Sequence, residues 1–421
     1  MRFLPSRTFR ALRHRNYRLF FTGQGLSMIG TWLQQVALGW LAYRISGSAW
    51  LLGVIGFCGS IGILVLGPLA GIVADRVNRR RALFVTQGLM LAQSAGLAIL
   101  TATGHVEVWH LVAFALWLGI VTAFDVPLRQ SLYVHLVDDR ADLPNAIALN
   151  SLLVNTARIV GPALAGLLLG LVGEAVCFAL NALSFVAVII AIARLRWPRE
   201  SHAASPDGWW RSWVEGARWA FGFPPARAML ALVAVLSWTI MPYSSLMPVY
   251  AKDLYGGGPY TLGLLLAAAG AGALLCMVYL ANRRTIRGLG RVIAGAAAVA
   301  GLALAAFSYL RVFPLALVLM AMVGGGLILA GASSHTILQT IVDDRLRGRV
   351  SSFYAMAFLG FAPLGNLAAG ALAERFGVPA TFLLNGVVCV AAAAWFWRRL
   401  PALAEWMHPV YRRLGIITDD A

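Results

Sequence analysis

Long apolar segments constrain this chain more than any other feature. A helix of about 20 apolar residues spans the ~30 Å hydrocarbon core of a bilayer. Lipid offers no partner to backbone N–H and C=O groups, so each such segment must be helical. Twelve segments satisfy this length: residues 17–45, 49–74, 82–103, 108–133, 144–172, 175–195, 228–251, 260–281, 291–310, 313–338, 350–373 and 377–397. With 60% hydrophobic and 12% charged residues, the chain is predicted to be an all-α membrane protein with twelve transmembrane helices.

The distribution of basic residues predicts the orientation of these helices. A net charge of +17 would suggest nucleic-acid binding in a soluble protein, but here the charges follow the loops. If the N-terminus is cytoplasmic, only Arg44, Lys252, Arg311 and Arg375 lie in outside loops, and Arg158 lies within a helix. We therefore predict that both termini are cytoplasmic, that anionic lipid headgroups contact the basic side, and that nucleic acid is not a partner.

An internal repeat predicts two related halves. VDDR occurs at residues 137–140 and again at 342–345. With one single-residue gap, the alignment also matches Gly161 with Gly365, Ala165-Gly166 with Ala369-Gly370, Gly173 with Gly377, Phe178 with Phe382 and Asn181 with Asn385. Two copies separated by an even number of crossings share one orientation. The sequence therefore predicts two pseudo-symmetric six-helix halves, with chance similarity between Gly/Ala/Leu-rich helices as the alternative.

The repeat and the charge pattern together predict five regions. They are a cytoplasmic arm (1–16), a first bundle (17–197), a cytoplasmic linker (198–227), a second bundle (228–399) and a cytoplasmic tail (400–421). In the linker, Arg211, Glu215 and Arg218 share one helical face, with Trp210 and Phe221 on the opposite face. This pattern is typical of an amphipathic helix in the membrane interface.

The loop between the second and third predicted helices carries the most specific motif, GIVADRVNRRR at residues 71–81. It resembles the major facilitator superfamily signature G-x-x-x-D-R-x-G-R-[RK], with Asn78 in place of the second glycine, a residue that tolerates positive φ. The resemblance implies a gating role for Gly71, Asp75, Arg76, Arg79 and Arg80. The alternative is that these arginines only anchor the loop on the positive side. We extend the gating hypothesis to the VDDR copies: Asp138, Asp139, Arg140, Asp343, Asp344 and Arg345.

The fifth predicted helix contains Gly161, Pro162 and Gly166 in the order ARIVGPALAG. It resembles the G-x-x-x-G-P-x-x-G-G pattern of exporting, proton-antiporting branches of the superfamily, although such glycines also serve simply as a packing face. Stretches such as NYRLFFTGQGLSMIGTW and DVPLRQSLYVHLV are similar to the branch of bacterial enterobactin exporters and macrolide-efflux proteins. That resemblance implies two domains that rock around a central cavity, in a multi-pass protein of the bacterial cytoplasmic (inner) membrane.

Three charges fall inside the predicted membrane region: Asp125, Arg129 and Arg158. Intramembrane charges are costly and are functional candidates by default. One hypothesis is that Asp125 exchanges a proton while its pairing with Arg129 or Arg158 changes between states. The other is a permanent ion pair that joins the fourth and fifth helices.

The resemblance also implies that the first, fourth, seventh and tenth helices line the cavity. Candidate cavity residues there are Gln24, Gln34, Trp238, Tyr243 and His335. Each of them can alternatively form hydrogen bonds between helices, as polar side chains in membrane helices often do.

These patterns predict a secondary transporter and not an enzyme. The only lysine, Lys252, lies in a predicted outside loop, so no P-loop for ATP is possible, and we expect neither a metal nor a cofactor. The predicted function is proton-antiport export of a small amphipathic molecule, drug-like or siderophore-like, by a monomer. The alternatives are a transporter of lipid or lysolipid and a non-transporting membrane sensor on the same scaffold.

Overall fold

The computed structural model describes residues 7–197, 209–283 and 285–415, and its regular structure there is helical. The linker residues 198–208 and both chain ends lie outside the described residues. The α-helices are α1 (Arg15–Ser46), α2 (Ala49–Arg76), α3 (Arg79–Ala102), α4 (Val108–Leu132), α5 (Leu143–Arg194), α6 (Trp209–Gly222), α7 (Pro224–Thr239), α8 (Tyr243–Val249), α9 (Pro259–Ala281), α10 (Leu289–Phe307), α11 (Phe313–Ile341), α12 (Arg347–Ala355), α13 (Phe361–Phe376) and α14 (Val378–Arg413).

Short helical segments connect several of these helices. Four are 3₁₀ segments, a tighter form used in short pieces. A π-helical turn, Tyr250–Leu254, follows α8, and another, Met356–Gly360, joins α12 to α13. The 3₁₀ segments are Arg7–Arg13, Tyr133–His135, Arg140–Asp142 and Asp344–Leu346.

Ten segments of the described chain are long and apolar enough to cross a membrane. The prediction of an all-helical membrane protein is therefore confirmed. The count differs from twelve in two places. The segment Arg140–Arg194 counts once although two crossings were predicted in it, and α1, which carries Gln24, Gln34 and Gln35, falls short in apolar character.

Two matched glycines adopt the same unusual backbone. Gly173, inside α5, has φ 78° and ψ 177°, and Gly377, just before α14, has φ 83° and ψ 154°. This region of backbone space is essentially accessible only to glycine. Gly173 therefore divides α5 into two helical arms, at the position where the sequence predicts a break between residues 172 and 175.

The chain packs as two compact units. Unit 1 comprises Met1–Ala204 and Pro248–Ala267, and unit 2 comprises Ser205–Met247 and Ala268–Ala421. The domain boundaries expected from the sequence stay predictions.

In unit 1, α1 packs along α5, α2 along α4, and α3 against both α4 and α5. A Cβ on Gly62 of α2 would collide with the carbonyl of Gly119 on α4, so these two helices touch through their backbones. A buried cluster at one end includes Tyr17, Phe20 and Leu132. Small residues thus allow the close approach on which helix association in lipid depends.

Small residues also allow helices to pack closely in unit 2. A Cβ on Gly301 of α10 would lie 2.8 Å from the carbonyl oxygen of Gly386 on α14. Gly272 of α9 lies against the backbone of Ala321 on α11. The small residues that pack α2 on α4 in unit 1 therefore have counterparts where α9 packs on α11 in unit 2.

The backbone break at Gly173 yields a first prediction. We expect Gly173→Ala to destabilise the protein by about 1–3 kcal/mol, because alanine is strained in this backbone region. Nothing lies within 4 Å of the added methyl group, so strain alone would cause the loss. Thermal unfolding in detergent measures it.

Gly170→Ala is the matched control, because Gly170 is helical and also has open space around its Cβ position. In a helix, alanine is favoured over glycine. Equal melting temperatures for the two variants would contradict the strain argument.

Candidate functional site

Asp125 lies at the centre of a buried polar cluster between α3 and α4. Its side chain is fully buried, and its Oδ1 accepts hydrogen bonds of 2.8 Å from Thr86 Oγ1 and from Gln87 Nε2. Arg129, one turn later on α4, places Nε 2.5 Å from Oδ2. That ion pair is not aligned as a hydrogen bond, so Oδ2 receives none. One carboxylate oxygen is thus saturated, and the other has only the charge of Arg129.

Arg158 lies on the first arm of α5 and is half-buried. Its chain neighbour Ala157 is 1% exposed. Whether Arg158 exchanges partners with Arg129 at Asp125 stays a prediction.

A second polar cluster joins α1, α3 and the second arm of α5. Gln34 donates to Gln93 Oε1 at 2.9 Å, and its own Oε1 accepts from Ser94 at 2.6 Å and from Asn181 at 2.9 Å. A Cβ on Gly30 would lie 2.5 Å from Asn181 Oδ1, so the glycine makes room for the amide. Gln34 thus bonds three helical segments together, and its assignment to a substrate cavity stays a prediction.

The loop after α2 contacts the segment after α4. Arg79 Nη1 lies 3.2 Å from His135 Nε2, and Arg80 lies over the ring of Phe84 at 5.9 Å. Arg76 is exposed, Gly71 has open space around it, and the side chain of Asp75 lies outside the described part of the structure.

Asn78 does not use the positive φ that the sequence comparison allowed for. Its φ is −65°, and its side chain accepts a hydrogen bond of 3.0 Å from the Arg81 backbone N–H. Asn78 therefore caps α3, a role for which asparagine is among the preferred residues. The expected explanation for the missing glycine was wrong.

The first VDDR copy holds the N-terminal arm. His14 places Nδ1 3.1 Å from Asp138 Oδ2 and Nε2 3.0 Å from Asp142 Oδ2. Asp139 accepts from the Ala141 N–H and so caps the next 3₁₀ turn, while Arg140 is exposed. Burial of the ring opposes protonation, but the hydrogen bonds and charges of both aspartates outweigh it and raise the pKa of His14.

The second VDDR copy contacts the C-terminal helix and α6. Asp343 Oδ1 lies 3.8 Å from Arg413 Nη2, and Arg345 Nη2 lies 3.8 Å from Glu215 Oε1. Arg349 makes the closer pair with Glu215, at 2.5 Å. The side chain of Asp344 lies outside the described part of the structure, as do those of Trp210 and Arg211 on α6.

The motif of the fifth predicted helix makes two close contacts in unit 1, one with a side chain and one with backbone. Gly161 packs directly against Trp32 of α1. A Cβ on Gly166 would lie 2.8 Å from both Gly263 Cα and the Pro259 carbonyl oxygen, in the first turns of α9. The glycines around Pro162 are therefore required for packing on both sides of α5.

The remaining cavity candidates have varied surroundings. Gln24 is 2% exposed, and its Oε1 has no hydrogen bond. In unit 2, Trp238 is 39% exposed, Tyr243 begins α8, and the His335 ring lies 4.5 Å from that of Tyr354. A pocket of about 320 Å³ at the end of α9 is lined by other residues, Met277, Arg283 and Thr336 among them. The cavity assignments stay predictions.

Sequence reasoning missed the partners that α3 supplies. Thr86 and Gln87 bond to Asp125, and Gln93 and Ser94 bond to the Gln34 cluster. The two pairs are seven residues apart, which places them on one face of a helix. Polar pairs at that spacing in an apolar helix are a signal from which both clusters could have been inferred.

Comparison with known proteins places this geometry in a family. The family model described as transmembrane secretion effector matches residues 6–410. The chain belongs to this family, a branch of the major facilitator superfamily. The resemblance to efflux-type members of the superfamily is therefore confirmed.

Two relatives and one solved structure illustrate the similarity. The staphyloferrin A transporter of Staphylococcus aureus is 24% identical, over 91% of this chain and 96% of the relative. The multidrug efflux pump Tap of Mycolicibacterium fortuitum is 28% identical, over 86% and 91%. The POT family transporter PepTSo shares the fold with a TM-score of 0.74 at 12% identity, over 93% of this chain and 99% of that chain. This member of the family is a multi-pass membrane transporter.

The His14 cluster of this transporter yields a second prediction. Because the pKa of His14 is raised in the docked arm, docking is strongest at low pH and weakens as pH rises through that pKa. Hydrogen exchange of residues 7–14, compared with His14→Gln at each pH, measures the effect. We expect parent and variant to differ most at low pH.

His105→Gln is the control, because His105 is exposed in the loop after α3. The exchange rates of the parent and of His14→Gln are compared at each pH. If their difference does not change with pH, the His14 ring does not titrate in this contact.

The crossing of α5 and α9 yields a third prediction. Gly166→Ala forces the first turns of α9 away from α5, because the new methyl group meets backbone atoms that cannot rotate aside. We expect the free energy of unfolding to fall by about 1–3 kcal/mol, as it does in overpacked cores. Thermal unfolding compared with Gly170→Ala on the same helix measures it, and equal stability of the two variants would refute the close crossing.

Proposed function

We propose that this transporter exports a small amphipathic molecule, drug-like or siderophore-like, by alternating access coupled to proton antiport. The cargo class follows from the relatives, one named as a multidrug efflux pump and one as a staphyloferrin A transporter. The proposal places twelve crossings in two six-helix halves in the bacterial inner membrane, with both termini cytoplasmic. The matched backbone of Gly173 and Gly377 supports the two halves.

The observation that carries the coupling proposal is the environment of Asp125. A fully buried carboxylate is costly unless it is paired, and Asp125 has one cation and two neutral donors. Its Oδ2 contacts the Arg129 guanidinium and receives no hydrogen bond from α3, so the proposal places the exchanged proton on this atom. Protonation would cancel the attraction to Arg129 and free that guanidinium to move.

The competing view is a permanent ion pair that joins the fourth and fifth helices. The pair in the structure is between Asp125 and Arg129, which lie one turn apart on α4, so this contact alone does not tie α4 to another helix. The links to α3 come from Thr86 and Gln87, which donate to Oδ1 and would still do so if Oδ2 were protonated. The pair can thus change its charge without the loss of the α3–α4 contact, which favours exchange.

Flux in reconstituted vesicles tests the function. With an imposed pH gradient, we expect accumulation of a siderophore or drug that collapses when a protonophore is added. Flux of lipid that is independent of the gradient would instead support a lipid or lysolipid transporter. No flux of any cargo would support a non-transporting sensor.

Asp125→Asn yields the fourth prediction. The amide keeps an oxygen for Thr86 and Gln87 but can neither carry the charge nor exchange a proton. We expect uphill export to fall to background while downhill exchange of cargo continues. Glu405→Gln, an exposed carboxylate on α14, is the control and should transport like the parent. Undiminished proton-dependent export by Asp125→Asn would overturn the coupling proposal.

A further inference from the structure

The end of α1 meets a segment from the second half of the sequence, within unit 1. Pro248 Cγ lies 3.5 Å from the position of a Cβ on Gly39. One turn further along α1, the Tyr43 hydroxyl donates to the carboxylate of Asp253. The segment from Pro248 to Asp253 therefore runs beside the last turns of α1.

Three side chains converge at this contact. Tyr43 is 6% exposed, so its hydroxyl reaches Asp253 from a buried position. The ammonium group of Lys252 lies 5.3 Å from the centre of the Tyr43 ring. A cation over the ring face and a carboxylate on the hydroxyl both favour the same tyrosine position. Neither Tyr43 nor Asp253 was among the residues expected from the sequence to act in gating.

The backbone brings Lys252 and Asp253 to one tyrosine through the π-helical turn Tyr250–Leu254. The wide turn is closed by hydrogen bonds such as Tyr255 N–H to the Tyr250 carbonyl, at 3.0 Å. Single π-helical turns are frequent at functional sites. In this one, adjacent residues of opposite charge reach the ring and the hydroxyl of Tyr43.

The neighbouring ion pair provides a contrast. Arg44 Nε lies 2.9 Å from Glu174 Oε1, just after the backbone break at Gly173. Both residues belong to the first half of the sequence, so this pair can persist while the halves move. The Tyr43 contact joins the two halves and would have to break whenever α1 and the turn separate.

The energetics suit a contact that opens and closes. Lys252 and Asp253 are exposed, so water solvates both charges when they leave the tyrosine. The two charges therefore add little net stability, and the main interaction lost on opening is the hydrogen bond from Tyr43 to Asp253. The buried hydroxyl of Tyr43 makes the contact specific, because it donates its hydrogen bond to Asp253.

We propose that Tyr43, Lys252 and Asp253 form a latch that holds the end of α1 against the Pro248–Asp253 segment and is released in each transport cycle. The positive-inside pattern assigns this end of α1 to the outside. The inference rests on the proposed alternating-access function for its role in transport, but the latch itself can be tested without any cargo.

Cysteine labelling tests the latch directly. Ala251 is fully buried beside Lys252, so Ala251→Cys provides a thiol that a membrane-impermeant maleimide reaches only when the local structure opens. The protein without Ala251→Cys measures background from the four native cysteines. Tyr43→Phe keeps the ring and removes the hydroxyl. When it is added to Ala251→Cys, labelling should be about tenfold faster, because a hydrogen bond to a charged acceptor is lost.

Tyr260→Phe is the matched control, because Tyr260 is 58% exposed at the start of α9. It should label at the rate of the Ala251→Cys parent. Equal rates for Tyr43→Phe and Tyr260→Phe would overturn the latch.

A double-mutant comparison tests the pairing. Asp253→Asn should accelerate labelling like Tyr43→Phe, and the double variant should label no faster than either single variant, because all remove one interaction. If the acceleration in the double variant equals the product of the two single accelerations, the two residues act independently and the pair is refuted.

Cargo flux separates this inference from the proposed function. If no cargo is transported by the parent while Tyr43→Phe accelerates labelling, the function fails and the latch stands. If export is measured and labelling is unchanged by Tyr43→Phe, the function stands and the latch fails.

Discussion

The absence of water in hydrocarbon is the constraint on which this structure depends. Every backbone polar group in the bilayer must find its partner within a helix, so the spanning segments are helical. Lipid tails are as apolar as leucine, and apolar burial therefore cannot hold one helix to another. What remains is close backbone contact and interhelical hydrogen bonding, and the structure uses both.

Close contact explains where the glycines lie. Gly62 against Gly119, Gly166 against Gly263 and Gly301 against Gly386 each bring two backbones together. Hydrogen bonding explains the buried glutamines: the Gln34 cluster joins α1, α3 and α5 with its polar atoms facing one another. A polar residue in an apolar helix is thus a structural necessity before it is a candidate for function.

The sequence predicted the helices well because backbone satisfaction in lipid is a local requirement. It also predicted the break at Gly173, since one apolar segment ends at residue 172 and the next begins at residue 175. It did not predict the partners of Asp125 or Gln34, because which face of α3 meets which neighbour depends on packing between distant segments. Asn78 was misread for a local reason: an asparagine before a helix can cap it as readily as it can adopt positive φ.

The same limit applies to Tyr43 and Asp253. They are 210 positions apart, about half the length of the chain, and neither belongs to a motif. Only the path of the π-helical turn along α1 brings them together. Contacts of this kind lie at the ends of helices, where exposed charges are common and carry no distinctive pattern in sequence.

The two halves of the sequence differ in the residues that carry charge. The repeat alignment matches Asp125 with Ala330, Arg129 with Ser334 and Arg158 with Ala362. Ala330 and Ser334 are fully buried, so small side chains fill unit 2 where unit 1 holds an ion pair.

The matched asparagines differ in the same way. Asn181 is hydrogen-bonded within the Gln34 cluster, whereas the Nδ2 of Asn385 is buried without a hydrogen bond. On the proposed architecture of two halves, both halves need packing glycines, because each must close its own bundle. On the proposed coupling, one titratable carboxylate suffices, because a second buried charge would add a desolvation cost without adding a new step. That asymmetry is what a transporter coupled through unit 1 alone would retain.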